Sequence, residues 1–310
     1  MTVLTARAMA TACLGLVGFV AVVTLVAAGV GGGFERTAIV FLISLVAVAG
    51  IGVYSGNSGI LSFGHLSFMG VAAYASGILA MPVAMKTMSL PNLPGLVGGT
   101  QLSFLAALAV AVLIAMAFAL VVGVVIARLD GAAATIATLA LLIITHGVII
   151  GARDITRGSQ SFFGVPRETT LLGAAVACAV ALVIARLFRD SVPGLKLRAA
   201  REDAIAARAM GVGIRGERLL AWVLSAGLVA VSGVLLGHFL GAFSAKKFYF
   251  VDTFMLLAML IVGGMSTVTG AVVGAVTITA VIEVLRRLEG GFELFGVAVP
   301  EFFGATQIGI

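Results

Sequence analysis

Charge is what this 310-residue chain has least of. Only 10% of its residues are Asp, Glu, Lys or Arg, 61% are hydrophobic, and the mean hydropathy is +1.23. A water-soluble globule needs a polar shell over its core, and so few charges cannot build one. The shell must be lipid, which makes the chain an integral membrane protein. Cysteine is almost absent: Cys13 and Cys178 both lie inside apolar stretches and read as small buried hydrophobes, without a disulfide framework. The three histidines, His65, His146 and His238, are too dispersed for a zinc motif. Paired carboxylates at helical spacing within an apolar stretch are also missing, which argues against an intramembrane enzyme. No Gly-x-x-x-x-Gly-Lys-Ser/Thr phosphate loop occurs, so the chain is not expected to hydrolyse ATP. The net charge of +6 does not imply nucleic acid, because the cations are scattered singly and have no aromatic platform among them.

What the chain does have is long apolar runs. About 20 apolar residues are needed to cross roughly 30 Å of hydrocarbon. Charges and helix breakers divide the sequence into nine candidate spans, at 9–31, 37–54, 67–85, 101–127, 132–151, 170–188, 219–243, 253–265 and 268–285. Backbone groups in lipid must be satisfied within the segment, so the expected fold is an all-α, polytopic transmembrane bundle forming one domain over 1–310. The uncharged stretch from Ala8 to Phe34 exceeds the roughly 7–15 residues of a signal-peptide core and is expected to be retained as a span. Alternation from a cytoplasmic N-terminus places 189–218 inside the cell. Eight of the nineteen basic residues lie between Arg186 and Arg218, the excess expected of a cytoplasmic loop.

Two apolar regions are interrupted. The stretch from Thr37 to Met85 has no charge, yet its middle, Tyr54-Ser-Gly-Asn-Ser-Gly-Ile-Leu-Ser-Phe-Gly-His65, is rich in breakers and hydroxyls. Irregular backbone at membrane depth is tolerated only under protein or beside a water-filled cavity, so this is a candidate broken helix on a solute pathway. The alternative is a short interfacial turn. Gly263-Gly-Met-Ser-Thr-Val-Thr-Gly270 interrupts the second half in the same way, as expected of inverted repeats meeting at a central site, although Gly-rich helix packing would give the same pattern. The candidate pathway residues are Asn57, Ser62, Gly64, His65, Gly263, Gly264 and Ser266. His146 and His238 read as structural, and Glu283 with Arg286 and Arg287 as an interfacial cluster whose charges snorkel to the surface.

The loop 189–218 is expected to carry a surface helix opened by Pro193, stapled by an Arg198–Glu202 pair and stopped by Gly211. Leu195, Ala199, Ala206, Ala209 and Met210 form its apolar stripe, suited to a lipid surface or a partner's groove.

Ile205-Ala-Ala-Arg-Ala-Met-Gly211 resembles the Glu-Ala-Ala-x-x-x-Gly coupling helix of ABC importer permeases, with Ile205 replacing the Glu. The longer run from Leu197 to Gly211, followed by Leu219-Leu-Ala-Trp-Val-Leu-Ser-Ala, is similar to the branched-chain amino acid permeases of the LivM type. Three further segments agree: Ser58 to Tyr74, Thr156 to Pro166, and Val262 to Gly274, where Met265 and Ala271 replace a Gly and a Pro of the family pattern. The chain stops at Ile310, where that family usually continues through a last helix; Gly304 to Ile310 reads like the start of one, and a truncated sequence is expected.

The resemblance implies a permease subunit of an ABC importer for leucine, isoleucine and valine in a bacterial inner membrane. Urea or short amides are an alternative cargo, and an ion-coupled secondary transporter an alternative class. It implies a second, related permease chain, two ATP-binding subunits that hydrolyse the ATP, and a periplasmic or lipid-anchored substrate-binding protein. No cofactor is expected on this chain. ATPase coupling is implied for Arg198, Glu202, Ile205, Ala206, Ala207, Met210 and Gly211.

Overall fold

A computed structural model of the protein describes residues 3–289 and two short paired strands, Phe292–Leu294 and Val297–Val299. The expected apolar run from Gly304 to Ile310 lies outside the described residues.

The chain opens with α1 (Val3–Val30) and α2 (Gly32–Ser58), separated at Gly31 and Gly32, which both take positive φ. After an irregular stretch come α3 (His65–Ala80), α4 (Val83–Ser89), α5 (Gly95–Gly98) and α6 (Phe104–Ile126). A tight turn leads to α7 (Gly131–Gly151), the short α8 (Arg153–Thr156) and α9 (Leu171–Asp190). The surface pair α10 (Val192–Glu202) and α11 (Ala204–Ala209) precedes α12 (Ile214–Leu240), α13 (Phe250–Val262) and α14 (Val268–Glu289). Eight of the nine expected segments each fall largely on one of these helices; the expected span 67–85 is instead broken at Met81 and Pro82 into α3 and α4. Among the described residues, seven helices are long and apolar enough to cross a membrane, and eight if α3 and α4, bent by 118°, count as one span. The thirteen residues of α13 rise only about 20 Å, two thirds of the hydrocarbon thickness.

Two boundaries differ instructively from expectation. Helix α2 was expected to end at 54 but runs on to Ser58, because its polar side chains bond within the helix. Asn57 Nδ2 donates to Val53 O at 2.8 Å and Ser58 Oγ to Tyr54 O at 2.8 Å. Gly59, at φ 73°, then ends it in the left-handed conformation. The single surface helix expected between Leu195 and Met210 is two helices, because Asp203 caps the second one, accepting from Ile205 N and Ala206 N.

Helices α2 and α12 form the buried centre, while α1 and α6 present most of their surface outward. Small residues bring the backbones together, as membrane packing requires. A stripe on α6, Ala107, Ala111, Ala115, Ala119 and Gly123, is buried at four-residue spacing. The lone tryptophan, Trp222 of α12, sits over Gly123 and donates Nε1–H to Ala119 O at 3.1 Å. Gly233 of α12 is so close to α3 that a Cβ there would lie 2.1 Å from Met69 O. Ser225 Oγ donates to Gly50 O at 2.6 Å, tying α12 to α2 at their centres.

Alternation of the helices gives the bundle two ends. One, the arginine-rich end, gathers the end of α2, the turns α6–α7 and α13–α14, and the α10–α11 pair. The opposite end carries α4, α5, α8 and a small lid in which Phe162 and Phe163 pair with Phe243 and Ala242.

Candidate functional site

The interrupted segment Gly59–Gly64 runs from the arginine-rich rim into the bundle. Phe63 N–H donates to Thr138 Oγ1 of α7 at 3.2 Å, and Gly64 is packed so closely that a Cβ would meet Thr138 O at 2.8 Å. Protein therefore covers the irregular backbone at depth. His65 follows at the start of α3, only 1% exposed, with Nδ1 2.8 Å from Ser62 Oγ and its ring among Tyr54, Phe68 and Trp222. His65 Nε2 has no hydrogen-bond partner among the described residues. Ser62 and Gly64 are buried beside it. Two histidines lie elsewhere: His146 stacks on Tyr249 at 3.9 Å, and His238 Nδ1–H donates to Pro166 O at 2.9 Å, holding the 156–166 loop.

The second interruption is a tight hairpin. Gly263, Gly270 and Gly274 let α13 and α14 touch backbone to backbone: a Cβ on Gly263 would lie 1.9 Å from Gly270 O, and one on Gly274 1.8 Å from Met259 O. Gly264, at φ 92°, makes the turn. This turn meets the end of α2, where a Cβ on Gly56 would lie 2.3 Å from Met265 O. Asn57 and Ser266 line one crevice there, of about 10 Å³, no larger than a single water. Of the expected pathway residues, then, Asn57 and Ser266 come together, Gly263 and Gly264 form the backbone contact beside them, and Ser62, Gly64 and His65 stand apart as a packed cluster.

Arginines from the surface loop grip this contact. Arg201 of α10 donates from Nη1 to Gly56 O at 3.1 Å and lays its aliphatic stem on Gly59. Arg189, at the end of α9, donates to Ser266 O, and Arg198 Nη2 donates to Arg189 O at 3.1 Å. The expected Arg198–Glu202 pair is therefore replaced: Arg198 is drawn to the open carbonyls at the end of α9, and Glu202 faces Arg201 at 3.9 Å. On the other flank, Asp130 in the α6–α7 turn is 2.6 Å from Arg218 and 3.9 Å from Arg208 of α11.

The apolar stripe of α10–α11 finds no place in the core. Leu195, Ala199, Ala206, Ala209 and Met210 are all at least partly exposed, with Ile205 at 80% and Met210 at 85%, while Leu197, Ala200 and Ala207 turn inward. Gly211, at φ 81°, ends α11 as expected.

A larger feature was missed in the sequence. A cleft of about 620 Å³ opens toward the opposite end between α2, α13 and α14. Ion pairs lie at its mouth: Lys247 Nζ to Asp252 Oδ1 at 2.8 Å, and Arg286 Nη2 to Glu283 Oε2 at 2.7 Å. Glu283 thus pairs with Arg286; the side chain of Arg287 lies outside the described residues. The only sequence signal was a set of charges at span ends, dispersed from Arg36 to Arg286.

Residues 33–294 match the family model described as branched-chain amino acid transport system / permease component. Over 280 residues the chain is 24% identical to the "High-affinity branched-chain amino acid transport system permease protein LivM" of Escherichia coli (strain K12), and 25% identical to the protein of the same name from Salmonella typhimurium (strain LT2). Each alignment covers 79% of this chain and 62% of the relative, so the chain spans under two thirds of the length of these curated relatives.

Proposed function

The chain belongs to the branched-chain amino acid transport system permease family, a family of multi-pass transport subunits and not of enzymes, and we propose that it is the membrane-spanning subunit of an inner-membrane ABC importer for leucine, isoleucine and valine. ATP is hydrolysed by two separate ATP-binding subunits, a related permease chain completes the pathway, and a substrate-binding protein delivers the cargo. This chain needs no cofactor of its own in that scheme.

One observation carries the reading most directly: a solvent-exposed apolar face on α10–α11, mounted on arginines that reach the contact between the two interrupted segments. A docked ATPase that pulled on Ile205, Ala206 and Met210 would move Arg201 and, through Arg198, Arg189. A two-state element needs such differential contacts to be biased by a partner. Ala207 and Gly211 set the shape of the docking helix, and Glu202 lies on its outer side. In this scheme Gly56, Asn57, Ser266 and the Gly263–Gly264 turn close the cytoplasmic end, and the cluster of Ser62, Gly64 and His65 fixes the break beside which the end of α2 moves.

Reconstitution of the full-length chain with its ATPase, second permease and binding protein tests the proposal. ATP-dependent uptake of leucine, isoleucine or valine is expected, with a cysteine at Met210 labelled only from the ATPase side. Absence of uptake for all three, or labelling of Met210→Cys solely from the opposite face, would overturn it.

A further inference from the structure

The cleft between α2, α13 and α14 has the polarity of a site for a zwitterion with a hydrocarbon tail. Its floor is apolar and soft: Met69, Met255, Leu256 and Met259 face it, with the hydroxyl of Ser44 among them. Methionine is unbranched and polarizable, so a thioether wall adapts to side chains that branch at different carbons. Ser44 is twelve residues into α2, roughly 18 Å along the helix at about 1.5 Å per residue, so the cleft reaches well into the bundle. A volume of about 620 Å³ falls within the roughly 300–1,000 Å³ of small-molecule sites.

The rim carries two ion pairs, Lys247 with Asp252 and Arg286 with Glu283, and a further cation, Arg36. A zwitterion entering between them exchanges partners without leaving a charge uncompensated: its carboxylate takes a cation of the rim and its ammonium an anion. A solute that brings only one of the two charges breaks the Lys247–Asp252 pair and leaves one of its members unpaired, which is costly once water is excluded. On the reading that the chain is an importer subunit, we infer that this cleft is an outward-facing binding site for a zwitterionic α-amino acid with an aliphatic side chain. Lys247 and Asp252 hold its head group, and the methionine floor holds its tail.

The test places a cysteine at Ser44, in the full-length chain lacking Cys13 and Cys178, within the reconstituted importer. A membrane-impermeant maleimide is applied from the side of the binding protein. Leucine is expected to slow labelling at least fivefold, whereas isocaproate, which lacks the ammonium, isoamylamine, which lacks the carboxylate, and lysine leave the rate unchanged; the labelled importer loses uptake. Independently, Asp252→Asn and Lys247→Gln should each raise the half-saturating leucine concentration about tenfold. If leucine fails to protect Ser44→Cys although uptake continues, the cleft is not the site and only this inference falls. It falls equally if short-chain phospholipid protects and leucine does not, which would make the cleft a lipid groove. An unlabelled parent without any leucine uptake defeats the importer proposal itself.

Discussion

Replacing Arg201 by alanine should separate ATP hydrolysis from transport. Gly56 O lies in the last turn of α2, where a carbonyl has no onward helical partner; the N–H of Ile60, which would have been next in the ladder, instead bonds Ser58 Oγ at 3.2 Å. The guanidinium of Arg201, 3.1 Å away, supplies the missing donor. A hydrogen bond from a charged donor contributes roughly 1.5–3 kcal/mol, and the partial exposure of this side chain favours the lower figure. About 1.5 kcal/mol corresponds to roughly a tenfold change in the equilibrium that the bond biases. Leucine taken up per ATP hydrolysed should therefore drop about tenfold in Arg201→Ala, with assembly and basal ATPase activity preserved. Arg201→Lys, which keeps the charge but not the fork, should fall between, and Arg215→Ala, an exposed cation at the same end, should match the parent. Simultaneous measurement of radiolabelled leucine uptake and phosphate release decides it. A ratio within twofold of the parent, or uptake and hydrolysis falling in parallel, would refute the idea that Arg201 transmits the motion.

Three further expectations concern docking and packing. Replacing both Ile205 and Met210 by serine should weaken ATPase binding about 100-fold in a pull-down titration, since burying two such side chains contributes about 3 kcal/mol or more. Thermal stability of the isolated chain should not change, because both are exposed. Gly274→Ala drives a Cβ onto Met259 O and should cost about 1–3 kcal/mol of overpacking. Gly18→Ala, which meets nothing within 4 Å, should not lower the unfolding midpoint in detergent, and equal midpoints for the two variants would contradict the backbone contact. The emission of Trp222 should be blue-shifted and resist acrylamide quenching. Trp222→Phe should lose about 2 kcal/mol in denaturant unfolding, from the bond to Ala119 O and the gap over Gly123.

Much of the architecture was readable from hydropathy, because lipid leaves the backbone little choice but helices of near-fixed length. Gly211 marked its helix end correctly, as a left-handed stop, whereas α2, which Gly59 ends in the same conformation, runs four residues beyond its expected end. Polar runs were harder to judge: Tyr54 to Ser58 looks like a loop in sequence, but carbonyls four residues back accept its donors and keep it helical. Ion pairing misled for a related reason. Spacing favoured Arg198 with Glu202, whereas the bare end of α9, invisible in local sequence, attracts Arg198 more strongly. The cleft was illegible because its charged rim is assembled from separated stretches around Lys247, Asp252 and Arg286 on one side and Arg36 on the other, each ordinary where it stands in the chain. His65 had the marks of a pathway residue, and the fold puts it in an aromatic cage, lining neither the crevice nor the cleft.

The glycine contacts between α13 and α14 have a mechanical corollary. Two helices locked backbone to backbone can tilt only as a single lever, with little freedom to slide against each other. One arm of that lever forms a wall of the wide cleft, and its tip is wedged against Gly56. In the proposed importer, swinging the tip away from Gly56 would press the far arm inward and gear the two ends of the pathway in opposition.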